Sequence, residues 1–239
     1  MSNVVALDPR RGVFANPAPT PDVAELERAP HRRVRRKHML YRQGQPATSA
    51  FVVNAGVFKC TVLDAFGRER VTGFALKGDV LGVECLVEAR YLSDVVALDV
   101  ADVIELSLPE LLEPTLGLLP SVASHMSKAL AQNWMAMLAL HSLDAEQRVA
   151  WFLLDYGDRL AARGYPADEL VLRMTRGDIG SFLDVASESV VRALTRLEGA
   201  GLIRVACRNI SIIDRVALTR LLMPPEERGL KGSAPGALH

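Results

Sequence analysis

The strongest structural signal in the sequence is TRGDIGSFLDVASESVVRALTRLEGAGLIR, which occupies residues 175–204. It opens with Thr-Arg-Gly-Asp, which resembles a capping box with an aspartate at the third helical position and predicts a short helix. Residues 184–186 then predict a turn, and Ser187 is the expected N-cap of a second helix that a glycine ends. Residues 202–205 and 210–213 alternate as two strands. This order of elements predicts a winged helix-turn-helix.

The predicted second helix has an outward face suited to reading the edges of DNA bases. The residues expected to read bases are Glu188, Val191 and Arg192. A guanidinium can pair with O6 and N7 of guanine, and a carboxylate can accept a hydrogen bond from N4 of cytosine. Glu188 and Arg192 are four residues apart and could equally form a surface ion pair, but their place on this helix favours base reading. The residues expected to contact phosphates are Ser187, Arg196, Arg204 and Arg208.

Charge and composition narrow the possible classes of protein. The chain of 239 residues has no net charge, but residues 171–220 hold eight arginines against five acids, a modest basic footprint of the kind that phosphate binding needs. Cys60, Cys85 and Cys207 are far apart, which favours a reducing cytosol over a disulfide framework. The start carries no secretory signal pattern and no apolar run is long enough to cross a membrane. We therefore expect a cytoplasmic protein without a membrane partner.

The rest of the chain divides by its pattern. Residues 31–116 alternate short apolar segments with glycine-containing turns, which predicts an antiparallel sandwich or barrel. The expected strands are Ala50–Val53, Val57–Leu63, Arg70–Leu76 and Asp94–Leu106. The basic run at 31–38 is best explained as a solvated strand face. Residues 1–30 and 223–239 are expected to be a flexible arm and a disordered tail.

Residues 117–143 predict a long helix that is apolar on two sides. One strip has the spacing of a coiled-coil seam: Leu119, Val122, Met126, Ala129, Asn133, Ala136, Leu140 and Leu143. A second strip holds Leu130, Trp134, Met137 and Leu138. Because a small barrel covers only one side, we expect a second copy of the chain to cover the other, although a helix buried inside a monomer is the alternative. Another helix is expected over 145–163, opening the domain at 144–222.

Six short motifs follow one another in a fixed order. They are YRQG at 41–44, VNAGVFK at 53–59, GRERVTGF at 67–74, GDVLG at 78–82, MTRGDIG at 174–180 and ESVVRALTRLEGAGLI at 188–203. In this order and spacing they resemble the cyclic-AMP receptor/fumarate-nitrate regulator (CRP/FNR) superfamily of bacterial transcription regulators. The VTGF and TRGDIG segments are most similar to the fumarate-nitrate branch.

The resemblance implies an α+β chain with an N-terminal antiparallel jelly-roll barrel of the cyclic-nucleotide-binding type, a long dimerisation helix and a C-terminal winged helix-turn-helix. It implies a homodimer that binds double-stranded DNA. The family residues matching Glu188 and Arg192 read a TGA-type half-site, which implies an inverted repeat of TTGA and TCAA. Glu84 matches an acidic contact with RNA polymerase, although an ordinary solvated acid is an equal alternative.

Several residues depart from the family pattern. A serine usually precedes the reading arginine in the fumarate-nitrate branch, whereas Val191 can touch a thymine methyl but cannot hydrogen-bond. Leu92 stands where cyclic-nucleotide members place a phosphate-binding arginine, and Asp94 would repel a phosphate. Three cysteines cannot supply the four thiolates of a [4Fe–4S] cluster. We therefore expect no cyclic nucleotide, no cluster and no metal, while His125 and His141 leave haem ligation open.

Two other classes of protein could contain a barrel of this size. A cupin-like enzyme would need metal-binding histidines inside the barrel, but the histidines fall at 31, 38, 125, 141 and 239, outside residues 39–108. No catalytic motif is present, so no catalytic residue is expected. A ligand-binding module without DNA binding is the other alternative, and the Glu188 and Arg192 pair argues against it.

Overall fold

The computed structural model describes residues 30–114 and 118–223. Within them the chain forms two compact units. The barrel unit contains residues 30–134 and 172–187, and the winged unit contains residues 135–171 and 188–223. The predicted arm and tail lie outside the described residues, and the domain boundaries expected after residues 116 and 143 stay a prediction.

The barrel unit is built from two four-stranded antiparallel sheets. Its strands are β1 (His31–Val34), β2 (Met39–Tyr41), β3 (Ser49–Ala55), β4 (Phe58–Leu63), β5 (Glu69–Ala75), β6 (Val80–Leu81), β7 (Asp94–Ala97) and β8 (Ala101–Ser107). One sheet has the order β1-β8-β3-β6 and the other β2-β7-β4-β5. The core holds Phe51, Val53, Phe58, Val95 and Val103. The prediction of an antiparallel barrel is confirmed.

Some strands differ from their predicted bounds. The segment expected over 94–106 is two strands, β7 and β8, separated by Leu98–Val100. The short strands β2 and β6 were not predicted. Between β3 and β4 the chain turns at Gly56, where φ is +86° and an added Cβ would lie 2.6 Å from the Cβ of Ala101. Only glycine therefore fits this turn without moving β8.

A short helix α1 (Leu108–Leu112) and a 3₁₀ turn η1 (Val83–Leu86) complete the barrel. Helix α1 begins with a capping box in which the Ser107 backbone N–H donates to the Glu110 carboxylate at 2.7 Å. The long helix α2 spans Leu118–Ser142, close to the predicted range.

The residues of the predicted seam on α2 differ in their exposure within the single chain, and the seam itself stays a prediction. Val122 lies in the barrel core and Leu143 is also buried. Met126, Ala129 and Asn133 are exposed, Ala136 and Leu140 are half-buried, and the side chain of Leu119 lies outside the described part. The exposed apolar strip is instead Met126, Leu130, Trp134 and Met137, whose exposed fractions are 44–52%.

The winged unit combines three helices with a three-stranded sheet. Its helices are α3 (Ala145–Ala161), α5 (Ser187–Gly199) and α6 (Arg215–Leu221), while α4 (Arg176–Leu183) belongs to the barrel unit. The strands β9 (Glu169–Val171), β10 (Ile203–Ala206) and β11 (Asn209–Ile212) form a sheet in the order β10-β11-β9. The predicted hairpin of β10 and β11 is confirmed to within one residue at each end. Strand β9 was not predicted from the sequence. Helix α3 ends at residue 161, two residues before the predicted end at 163. None of the described helices is long and apolar enough to cross a membrane.

Candidate nucleic-acid interface

Helix α4 begins with the predicted capping box. The Asp178 backbone N–H donates to the Thr175 hydroxyl at 3.0 Å, and the Thr175 backbone N–H donates to the Asp178 carboxylate at 2.8 Å. An aspartate at the third position therefore satisfies the free amide groups as a longer acid would. Ile179 and Leu183 are buried, as the pattern of the sequence predicts.

The turn between α4 and α5 is tight. Asp184 adopts a left-handed conformation with φ of +51°, and the Val185 N–H donates to the Gly180 carbonyl at 2.9 Å. A Cβ on Gly180 would lie 2.7 Å from the Val185 carbonyl oxygen and 3.3 Å from the Ser187 nitrogen. The turn is confirmed at 184–186, and glycine at position 180 is what allows the chain to approach so closely.

Helix α5 presents the predicted apolar and polar faces. Val190, Leu194 and Leu197 are buried, whereas Glu188, Val191 and Arg192 are exposed. Ser187 is the first residue of the helix rather than the residue before it, which shifts the expected N-cap by one position. Because successive outward residues lie three or four positions apart, one face of α5 carries an acid, an apolar side chain and a guanidinium together.

Two polar neighbours of these residues were not singled out from the sequence. The Arg192 guanidinium donates to the Ser189 hydroxyl at 2.9 Å. Thr195 is exposed, one turn beyond Val191, and its hydroxyl donates to the Val191 carbonyl at 3.1 Å. The spacing of three and four residues could have identified Thr195, whereas the contact of Ser189 depends on the conformation of the arginine side chain.

The expected phosphate contacts also lie on the surface of the winged unit, except Ser187, which is half-buried and belongs to the barrel unit. Arg196 is exposed and forms an ion pair with Glu146 of α3 at 3.3 Å. Arg204 lies on β10 and Arg208 in the turn that follows it, and both are exposed. The winged unit thus carries three exposed arginines, one on α5 and two on the hairpin of β10 and β11.

Glu84 lies in the barrel unit, within η1 rather than in an open loop. Its side chain is half-exposed and accepts a hydrogen bond from the Leu92 backbone N–H at 3.3 Å. The Glu84 carboxylate, which was expected to contact RNA polymerase, therefore also holds the backbone of Leu92.

Both parts of the chain match known protein families. The family model of the cyclic nucleotide-binding domain matches residues 31–113, and that of the Crp-like helix-turn-helix domain matches residues 147–221. The transcriptional regulatory protein btr of Bordetella pertussis is 33% identical over 210 residues, which cover 85% of this chain and 86% of that protein. This chain belongs to the CRP/FNR family.

Other CRP/FNR relatives agree with this assignment. The transcriptional activator protein anr of Pseudomonas aeruginosa is 32% identical, covering 80% of this chain and 79% of that protein. The structure of FixK2 from Bradyrhizobium japonicum has a TM-score of 0.72 and 26% identity, covering 82% of this chain and 98% of FixK2. The predicted α+β fold is confirmed, and the chain is a DNA-binding transcription regulator of the CRP/FNR family. Its relatives are regulators, so the enzyme alternative is wrong.

The barrel residues do not fit the cyclic nucleotide that the CRP/FNR domain implies. Leu92, at the position of the phosphate-binding arginine, is 54% exposed, and Asp94 accepts a hydrogen bond from the Gln43 N–H at 2.6 Å. The nearby Arg90 guanidinium donates to the Gly44 carbonyl at 2.6 Å. At the segment that resembles the phosphate-binding one, the Asp94 carboxylate would repel a phosphate.

The cysteines and histidines do not form a metal centre in the described part of the chain. Cys60 is half-buried, Cys85 is buried and Cys207 is exposed in the other unit. Among the described residues no three metal-ligating side chains come together. The residues thus do not fit an iron–sulfur cluster held by one chain. The two histidines considered for haem both lie on α2, where His125 is half-buried and His141 is exposed.

Proposed function

We propose that this regulator binds an inverted repeat of TTGA and TCAA as a homodimer and contacts RNA polymerase through its barrel. The single observation that carries the proposal is the exposure of Glu188 and Arg192 one turn apart on the outward face of α5. In a helix-turn-helix, residues near the N-terminal end of the second helix contact base edges in the major groove.

The proposed reading follows from side-chain chemistry. Arg192 pairs with the guanine of the TGA core through O6 and N7. Glu188 accepts a hydrogen bond from the cytosine opposite a neighbouring guanine or from an adjacent adenine amino group. Val191 is apolar and 49% exposed, and it contacts a thymine methyl group. Ser187, Arg196, Arg204 and Arg208 contact phosphates, which position the helix without selecting a sequence.

The proposed dimer uses helix α2. Its exposed strip of Met126, Leu130, Trp134 and Met137 has the spacing of a helix–helix seam, and four large apolar side chains in a row favour burial against an identical helix. A two-fold dimer places its two recognition helices about 34 Å apart, one turn of DNA. An inverted repeat is the DNA sequence with matching symmetry.

Glu84 is the proposed polymerase contact. Its half-exposed carboxylate accepts a hydrogen bond from the Leu92 N–H, and the exposed Glu88 follows four residues later in the chain. An acidic surface of this kind suits a basic patch on a large partner.

The function is tested by fluorescence anisotropy on labelled duplexes carrying the repeat or a scrambled sequence, at several salt concentrations. Arg192→Ala should cost about 1–3 kcal/mol on the repeat and flatten the preference for the guanine, because the bidentate contact is lost. Arg208→Ala is the matched control, since it should weaken both duplexes alike and reduce the salt slope by about one.

Equal affinity of the wild type for the repeat and the scrambled duplex would refute the proposed target. Full guanine preference in Arg192→Ala would refute the reading residue while leaving DNA binding intact.

A further inference from the structure

Thr195 continues the outward face of α5 beyond the residues that are proposed to read bases. It is exposed and lies four residues after Val191, whose side chain is 49% exposed. Side chains four residues apart on a helix are neighbours on one face, with Cβ atoms about 5–6 Å apart. Val191 and Thr195 therefore present two small side chains, next to each other, to a ligand that contacts this face of α5.

The hydroxyl group of Thr195 is bonded within the helix. It donates to the Val191 carbonyl at 3.1 Å, which commits its only hydrogen to the backbone of α5. A threonine side chain branches at Cβ, so when the hydroxyl group turns back to the helix, the methyl group occupies a different staggered position. The hydroxyl group can no longer donate to a base, and the methyl group is what Thr195 adds to the apolar side chain of Val191.

The charged side chains one turn from Thr195 have partners of their own. The Arg192 guanidinium, three residues earlier, donates to the Ser189 hydroxyl at 2.9 Å, in the direction of the start of α5. The Glu198 carboxylate, three residues later, accepts a hydrogen bond from the Val205 N–H of β10 at 2.8 Å. These two contacts hold the nearby charges on other groups and leave an apolar surface on this turn of α5.

The major groove of DNA offers one apolar group that such a surface can contact. Only thymine carries a methyl group on its groove edge, and a threonine methyl group is among the groups that contact it. Neighbouring base pairs are about 3.4 Å apart along the duplex and are also rotated, so the methyl groups of adjacent thymines lie farther apart than this. That separation is comparable with the spacing of Val191 and Thr195. The proposed half-site TTGA begins with two adjacent thymines.

We infer that Thr195 is a second thymine-reading residue, so that its methyl group and Val191 contact the two adjacent thymines of TTGA, one each. The inference rests on the proposed function, because it extends the reading of the same inverted repeat. Arg192 and Glu188 select their bases by hydrogen bonds, whereas Val191 and Thr195 select thymine by its methyl group.

The test removes methyl groups from the DNA without altering its base pairing. Deoxyuridine replaces thymine at the first or the second position of TTGA, in both half-sites, and fluorescence anisotropy measures binding of the full-length protein. Each replacement removes two methyl groups and should weaken wild-type binding about tenfold, because burial of one such carbon contributes about fourfold. Deoxyuridine at a thymine outside the repeat is the control duplex and should leave the affinity unchanged.

Three variants assign each thymine to a residue. Thr195→Ser keeps the hydroxyl group but loses the methyl group, so it should lose the deoxyuridine penalty at one thymine and keep it at the other. Thr195→Val is the matched control, because it keeps a methyl group, removes the hydroxyl group and should retain both penalties. Val191→Ala should lose the penalty at the remaining thymine. Serine, threonine and valine have similar helix propensities, so the changes at position 195 should leave α5 folded, which circular dichroism checks.

The outcomes separate this inference from the proposed function. A wild type that does not prefer the repeat over the scrambled duplex overturns the proposed function. If the wild type prefers the repeat but Thr195→Ser keeps the full penalty at both thymines, only the role of Thr195 is overturned. A wild type without any deoxyuridine penalty overturns methyl reading by both residues and leaves the guanine contact of Arg192 intact. A penalty that Thr195→Val loses and Thr195→Ser keeps also refutes the inference, because the hydroxyl group would then be the reading group.

Discussion

Single residues were predictable where the determining contact is local. The capping box of Thr175 and Asp178 was read directly from the sequence, because its two partners are three residues apart. The outward positions of Glu188, Val191 and Arg192 also followed, since buried residues fix the phase of the helix. The contact of Arg192 with Ser189 could not be predicted, because it depends on one arginine conformation among many.

A second capping box makes a prediction for the pH dependence of stability. The Ser107 hydroxyl and backbone N–H donate to the Glu110 carboxylate at 2.6 and 2.7 Å, and these bonds lower the pKa of Glu110. A lowered pKa stabilises the fold above the unfolded-state pKa of about 4.3, and this contribution is lost as pH falls through the folded-state pKa. Glutamine keeps an acceptor for the capping box but removes the negative charge near the helix N-terminus, so Glu110→Gln should lower the free energy of unfolding by about 0.3–1 kcal/mol near pH 7.

Urea unfolding at pH 7 and below pH 4 measures the effect. The difference between wild type and Glu110→Gln should shrink toward zero in acid, whereas the exposed Glu88→Gln should show little difference at either pH. A difference that stays constant from neutral to acid would contradict the role assigned to the charge.

At the level of elements, long periodic segments were predicted well and short or unmarked ones were not. Helix α2 and the wing hairpin lie within a residue or so of their predicted bounds. Strands β7 and β8 were predicted as one strand because the turn at 98–100 has only Asp99 as a turn-favouring residue, between two apolar residues that continue the strand pattern. Strand β6 has two residues, which is too short for any alternation to register.

Helix α3 carries a glycine whose role depends on its neighbours. At an exposed position inside a helix, replacing glycine by alanine stabilises the helix by about 1 kcal/mol. At Gly157, however, an added Cβ would lie 2.3 Å from the Ala167 carbonyl oxygen, and backbone cannot yield cheaply. Gly157→Ala should therefore lower the free energy of unfolding by about 1–2 kcal/mol, because the clash exceeds the gain in helix propensity.

The matched control is Gly199→Ala at the end of α5, where no heavy atom lies within 4 Å of the added Cβ. It should be neutral or stabilising by up to about 0.5 kcal/mol. Urea denaturation of both variants decides the sign, and a Gly157→Ala protein as stable as the wild type would show that the Ala167 loop moves aside.

For the molecule as a whole, the family and the order of its elements followed from the motifs, but the side of α2 that stays exposed in the single chain did not. The helix is apolar on two sides, and its own periodicity does not say which side the chain covers. In the structure Val122 packs into the barrel core, and Met126, Leu130 and Trp134 are exposed. A long-range contact of this kind is absent from any local pattern.

The proposed dimer makes the last prediction. Leu130 lies in the middle of the exposed strip and is 49% exposed in the single chain. Leu130→Glu would place a carboxylate in an apolar seam, where burial of an unpaired charge is far more costly than leaving it in water. Light scattering at micromolar concentration should give twice the 26.0 kDa chain mass for the wild type and the single-chain mass for the variant.

The affinity for the full inverted repeat should depend on whether the protein is a dimer. A single chain can engage only one half of an inverted repeat, so Leu130→Glu should bind a full repeat no more tightly than a half-site. The matched control is Leu112→Glu in α1, which puts the same charge at a leucine that is 52% exposed on the barrel unit. That variant should remain dimeric and keep its preference for the full repeat. A dimeric Leu130→Glu protein would mean that the two chains meet elsewhere, and a monomeric wild type would remove the homodimer altogether.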